Sequence, residues 1–170
     1  MPDFFAKLER EPTGIAVGLW VRRAILTLLG LIVLLGLLNR YGQRPADSVA
    51  RVPAATMRLS APEHIRGGLF FQSRLEISAA QAIDHPRIVL DEGWVEGMQV
   101  NSIEPGAETE TSRDGKLVLS YGKLAQGDLL RVWLQFEVDP TNTGERSYGV
   151  ELDDETRPLA RISRTLRVLP

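Results

Sequence analysis

Between Ala24 and Leu38 the chain runs AILTLLGLIVLLGLL, fifteen residues with no charge and no proline. A soluble domain of this size seldom buries such a run on every helical face, so this segment constrains the chain more than any other. Fifteen helical residues span about 22 Å, short of a hydrocarbon core roughly 30 Å thick. Widened to residues 19–41, LWVRRAILTLLGLIVLLGLLNRY, the run places Trp20 and Tyr41 about 31 Å apart along a helix, the separation of two interfacial aromatic belts. Arg22 and Arg23 then lie just inside one interface, where their stems reach outward, and Arg40 marks the other. The expected membrane-interface set is Trp20, Arg22, Arg23, Arg40 and Tyr41. A cleaved signal peptide is the competing reading, because basic residues precede the run and Ser48-Val49-Ala50 loosely resembles a small-x-small site. That site lies well beyond Leu38, with Arg40 and Arg44 intervening, which favours a retained anchor. Gly30 and Gly36 do not form a GxxxG pair, so the helix gives no sign of self-association and the oligomeric state stays open.

Lys7, Arg10, Arg22 and Arg23 precede the span, and Arg40, Arg44 and Arg51 follow it. The tight Arg22-Arg23 pair, together with an acidic, strand-rich remainder, orients the N-terminus to the cytoplasm and the rest outside it. Residues 1–66 carry nine Lys/Arg against five Asp/Glu, and residues 67–170 carry eleven against seventeen. The division reads as a cytoplasmic leader at 1–18, a transmembrane helix at 19–41, a linker at 42–53 (GQRPADSVARVP) and an extracytoplasmic domain at 54–170. The overall net charge of −2 gives no basic footprint for a nucleic-acid partner. With no Cys, disulfides, zinc-thiolate sites and Cys nucleophiles are excluded.

After Ala54 the pattern becomes alternating. In LFFQSRLEIS, Leu69, Phe71, Leu75 and Ile77 share one parity while Gln72, Arg74 and Glu76 share the other. In LLRVWLQFEV, Val132, Leu134, Phe136 and Val138 face inward, and Arg131, Trp133, Gln135 and Glu137 face outward. The segment LARISRTLRV reads as one strand that Arg164 interrupts, so Arg164 must snorkel, find a carboxylate or sit at a bulge. Shorter strands are expected at 55–60, 86–91, 98–103, 116–121 and 148–152, with one helical turn at 78–83. About eight strands with regular turn signals predict an all-β, antiparallel two-sheet immunoglobulin-like sandwich, with a barrel as second choice.

The stretches RGGLFFQ (66–72), DEGW (91–94), LSYGKLAQGDLLRVWLQFEVDPTNTG (119–144) and VELDDETRPLARISRT (150–165) carry a resemblance. With them, the whole chain is similar to a group of single-pass membrane proteins of high-GC Gram-positive bacteria. Seventeen Arg against three Lys fits such a genome. The resemblance implies an extracytoplasmic immunoglobulin-like domain and brings no activity with it.

No Ser lies in a Gly-x-Ser-x-Gly elbow, and His64 and His85 are the two imidazoles available to any triad. Asp153-Asp154-Glu155 with Asp139, and Asp91-Glu92 with Glu96, place carboxylates near loops without any ordered Ca²⁺-loop spacing. A solvated acidic surface accounts for them, and no metal site and no cofactor is assigned. Trp133, flanked by Arg131 and Gln135 on an outward parity, is the candidate partner-binding set. Trp94 reads as a core anchor. The sequence thus predicts a non-enzymatic, membrane-anchored binding module, an accessory subunit beside an integral membrane protein in the lipid bilayer. The alternative is an envelope sensor for a small ligand or Ca²⁺.

Overall fold

The structure is a computed structural model that describes residues 12–38 and 43–170, with side chains from Gly18 onward. It separates into two bodies that divide between Gly42 and Gln43. In the first, α1 (Pro12–Leu37) begins earlier than the expected span and ends before it. Pro12 suits the first turn of a helix, where its missing N–H costs nothing. Within α1, the twenty residues Gly18–Leu37 form a stretch long and apolar enough to cross a membrane, and none of it is buried in the protein.

The second body is built of strands: β1 (Pro45–Arg51), β2 (Ala55–Pro62), β3 (His64–Arg66), β4 (Phe70–Ala79), β5 (Pro86–Leu90), β6 (Met98–Glu104), β7 (Thr109–Arg113), β8 (Lys116–Ser120), β9 (Leu129–Val138), β10 (Gly144–Ser147), β11 (Val150–Asp154), β12 (Arg157–Ile162) and β13 (Thr165–Leu169). One five-stranded sheet has the order β1-β2-β4-β9-β6, and a second the order β12-β11-β5-β8-β7. A three-stranded sheet, β10-β13-β3, includes the parallel pair β13–β3; the pairings within both larger sheets are antiparallel. The fold is the expected β-sandwich.

Alternation builds the core. Val132, Leu134, Phe136 and Val138 on β9 are fully buried or nearly so, as are Leu75 and Ile77 on β4. Each such side chain contributes about 1.5–3 kcal/mol on leaving water. Ile88, Leu90, Val150 and Leu152 supply the facing layer. Between the layers Trp94 stacks on Tyr148, ring centroids 3.7 Å apart, and lies 5.3 Å from Phe136. Its indole N–H donates to the Gly149 carbonyl at 3.0 Å, and the Tyr148 hydroxyl meets Ser73 Oγ at 3.1 Å, so both polar tips of this aromatic cluster are satisfied.

Several expectations are corrected. Residues 42–53 are not a free linker: β1 occupies most of them and pairs with β2 from Pro45↔Pro62 to Arg51↔Thr56. The C-terminal segment is two strands in different sheets, because the chain turns at Ser163-Arg164. Arg164 does find a carboxylate, Glu63 at 3.3 Å, and its buried guanidinium also donates to the carbonyls of Ala46 and Ala61, tying the crossover to β1 and β2. Residues 78–83 form no helical turn, since β4 runs on to Ala79 and a bend follows. The described strands number thirteen, not eight, the additions being β1, β3, β7 and β10 together with the split end.

Candidate functional site

Parity on β9 sends Trp133 outward, and the ladder gives it two neighbours: Arg74 on β4 and Glu104 on β6. The Arg74 guanidinium lies over the indole, 5.3 Å from the ring centroid, a cation–π contact that leaves Trp133 half-buried instead of bare. One residue pair along, Arg131 Nε donates to Glu76 Oε1 at 2.8 Å, and Arg74 Nε stands 3.6 Å from the same oxygen. Glu76 therefore fixes two arginines beside the indole, and Arg58 of β2 faces it from the other side. On the opposite flank Gln135 is exposed and pairs with Gln72 on β4 and Ser102 on β6. The three residues singled out in the sequence thus share one sheet face. Sequence reading missed Arg74 and Glu76, whose roles depend on the β4–β9 register, and Phe70, which is 64% exposed at the end of the same face. A depression of about 400 Å³ opens there between Phe70, Phe71, Gln72, Gln135 and Phe136. The face thus presents a large ring, the guanidinium groups of Arg74 and Arg131 paired with Glu76, and the exposed amide of Gln135.

Of the expected membrane-interface residues, Trp20 is 69% exposed on α1, and the Arg23 guanidinium lies 5.6 Å from its ring centroid. Arg22 occupies the adjacent helical position and is exposed. Arg40 and Tyr41 lie outside the described residues.

The acidic groups part company. Asp91, 3% exposed, accepts from Arg161 at 2.8 and 3.0 Å, from Ser147 Oγ at 2.7 Å and from the Gly149 N–H at 3.2 Å, with Lys116 Nζ 3.6 Å away. Burial pushes its carboxyl up, but the Ser147 hydroxyl and the two cations outweigh that and hold it below the ordinary carboxylate value. Gly149 is required there, because a Cβ would stand 2.4 Å from Asp91 Oδ2 and 3.0 Å from the Ile162 carbonyl. Asp139 caps its own turn through Thr141, at 2.8 Å to both the N–H and the hydroxyl. Asp153 sits on β11 with one oxygen buried and unpartnered; burial and the neighbouring Glu151 push its carboxyl up. Among the described residues no three acidic or imidazole groups converge as metal ligands.

A polar cleft of about 690 Å³ lies at one end of the sandwich, lined by Asp84, His85, Glu108, Tyr121, Lys123, Asp154, Glu155 and Arg157. Lys123 and Asp84 pair at 2.6 Å, and the His85 N–H donates to Asp154 Oδ1 at 3.0 Å. The Tyr121 hydroxyl donates to the Pro105 carbonyl at 3.2 Å, and burial, aided by Glu110, pushes its pKa up to about 12. His64 is exposed on β3, on another element. The described serines with buried hydroxyl contacts, Ser73 and Ser147, serve Tyr148 and Asp91 and not an imidazole.

No protein-family model matches the chain, and no curated protein does. Solved structures similar to it include a non-cellulosomal cohesin from the archaeon Archaeoglobus fulgidus, with TM-score 0.41 and 16% identity over 65% of this chain and 88% of that one. A type I cohesin–dockerin complex from Clostridium thermocellum gives 0.38 and 12% over 62% and 89%. The third ScaC cohesin of Acetivibrio cellulolyticus gives 0.40 and 11% over 63% and 94%. These overlaps are too loose to bring a partner or ligand with them.

Proposed function

We propose that the chain is a single-pass membrane protein whose β-sandwich stands outside the cytoplasm and works by binding, as an accessory subunit beside an integral membrane partner. The observation that carries the reading is the Trp133 platform: an aromatic ring clamped by Arg74 on an outward sheet face, with Arg131 held in place by Glu76 and Gln135 free to bond. Trp and Arg in fixed positions concentrate binding energy at protein interfaces. The apolar stretch Gly18–Leu37 supplies the anchor in this reading. A short tether raises a domain's effective concentration toward a partner in the same membrane without any catalysis.

The test uses the full chain in mild detergent and asks which membrane protein copurifies. Trp133→Ala should weaken that association by about 2 kcal/mol, roughly thirtyfold, while Gln126→Ala in a remote exposed loop leaves it unchanged. Its effect on the domain's own melt should stay within about 1 kcal/mol, since Trp133 lies outside the core. A loss of about 3–5 kcal/mol of stability would make Trp133 a core residue and remove the reading. The charged cleft at Asp84 and Arg157 favours a second reading, a sensor for a small polar ligand. Saturable heat on titration with Ca²⁺, abolished by Asp154→Asn, or with a small anionic ligand, abolished by Arg157→Ala, would move the assignment there.

A further inference from the structure

Outward positions on β4 read Phe70, Gln72, Arg74 and Glu76, so an apolar ring stands at the end of a polar row. Phe70 is 64% exposed, and Leu69 beside it and Leu169 at the end of β13 are also open to solvent. The backbone gathers all of them at one end of the sandwich. β4 begins where β9 ends, with Phe70 opposite Glu137, and the Gly68 N–H donates to the Val138 carbonyl at 2.8 Å. The Gly67 N–H donates to the Leu169 carbonyl at 2.9 Å, which brings the last strand to the same place. Pro140 closes over this turn so tightly that a Cβ on Gly67 would stand 2.9 Å from the Pro140 carbonyl oxygen.

The chain also enters the sandwich here. β1 opens at Pro45 opposite Pro62, and the Gln43 side-chain amide donates to the Phe70 carbonyl at 3.4 Å. In the reading of Gly18–Leu37 as a membrane anchor, Tyr41 marks the outer interface. Gln43 follows Tyr41 by two residues, at most about 7 Å of chain in any conformation. An anchored sandwich therefore carries Phe70 and Leu69 on the end tied to the bilayer surface, within reach of the headgroup layer. Trp133 pairs with Arg74, four residues further along β4 and so about 13 Å from Phe70. Leu129 shares the outward parity of β9 and is 55% exposed, but it lies at the far end, eight residues from Glu137 and so about 26 Å away.

We propose that Phe70, with Leu69 beside it, inserts into the headgroup layer of the membrane that holds the anchor, a contact made by the sandwich itself. This rests on the anchor reading above. An apolar ring at that depth leaves water for the boundary between headgroups and acyl chains. One ring alone would bind a bilayer weakly, and the tether supplies the effective concentration that makes so small a contact persist. Charges at this end come in both signs, Arg44 and Arg66 against Glu137 and Asp139, with Glu63 paired to Arg164 at 3.3 Å. Apolar transfer and not charge therefore drives the contact, and zwitterionic lipid suffices.

The chain has no cysteine, so a single introduced one places an environment-sensitive fluorophore at a chosen site. Leu29→Cys, Leu69→Cys and Leu129→Cys versions of the full chain are labelled and compared in phosphatidylcholine vesicles, with a lipid nitroxide placed either deep or shallow on the acyl chain. The deep nitroxide should quench the Leu29 label. The shallow one should quench the Leu69 label about threefold more than the Leu129 label, in low and high salt alike. Adding Phe70→Ser to the Leu69 reporter should remove about half of that quenching or more with the melt unmoved, and Phe70→Trp should keep it. An unquenched Leu29 label would remove the anchor reading and this proposal together. With Leu29 quenched, a Leu69 label quenched no more than Leu129, or quenched equally with and without Phe70→Ser, would overturn the insertion alone. So would a blue-shifted Leu69 label that neither nitroxide reaches, which would give the patch to a second copy of the chain.

Discussion

At the scale of single residues, Asp91 and Asp153 show how two carboxylates with similar sequence surroundings take opposite electrostatic roles. Asp91 is buried with Arg161, Lys116, Ser147 and the Gly149 N–H around it, and its carboxyl is held low. A group whose folded pKa lies below its unfolded value binds protons more readily once unfolded. Its stabilisation is present above the ordinary carboxylate range and is lost as pH falls through it. Asp91→Asn should therefore cost about 2 kcal/mol at neutral pH, by removing the buried carboxylate that Arg161, Lys116 and Ser147 share while Glu151 still holds Arg161 at 2.7 Å, and flatten the acid limb of the stability profile. Asp153 carries the opposite shift, from burial and Glu151, so its contribution is most favourable at low pH and falls as pH rises. Asp153→Asn should leave stability at neutral pH unchanged or raise it. Urea melts of both variants from pH 3 to pH 7 check the pair, and losses of like sign and size would contradict the assignment. Neither role was legible in the sequence, where both residues are members of acidic clusters. Burial and the guanidinium of Arg161, seventy positions away, decide between them.

At the scale of elements, β4 and β9 were legible because half-buried strands alternate, and their outward residues gave Trp133, Arg131 and Gln135 before any register was known. β7 escaped notice because TETSR exposes all five residues, so no apolar parity exists to read. β1 escaped because PADSVAR, with its proline and polar residues, has the composition of a spacer, and its pairing to β2 is a long-range fact. The last segment reads as one strand because its parity nearly survives Arg164. The break is enforced by the Arg164 bonds to Ala46 and Ala61, which no local pattern displays. These contacts predict where the domain can be cut. A protein beginning at Gln43 should be soluble and melt cooperatively. One beginning at Ala54 loses the β1 ladder, exposes the β2 edge and strips Arg164 of its Ala46 acceptor, and it should melt at least about 10 °C lower or aggregate. Equal melts for the two would show that β1 adds nothing to the body.

At the scale of the whole molecule, the chain joins one apolar helical stretch to one sandwich with a polar, aromatic-bearing outer face. The binding reading depends on which side of the membrane that face meets. The expected orientation rests on the Arg22-Arg23 pair before the apolar stretch and on the acidic character of residues 67–170. The direct measurement is protease treatment of intact cells expressing the full chain with an epitope at each end. The account predicts that the C-terminal epitope and the sandwich are lost at the cell surface, while the N-terminal epitope persists in a small membrane-bound fragment until the cells are opened. Protection of the sandwich in intact cells, or its release as a free domain without any membrane-bound fragment, would contradict it.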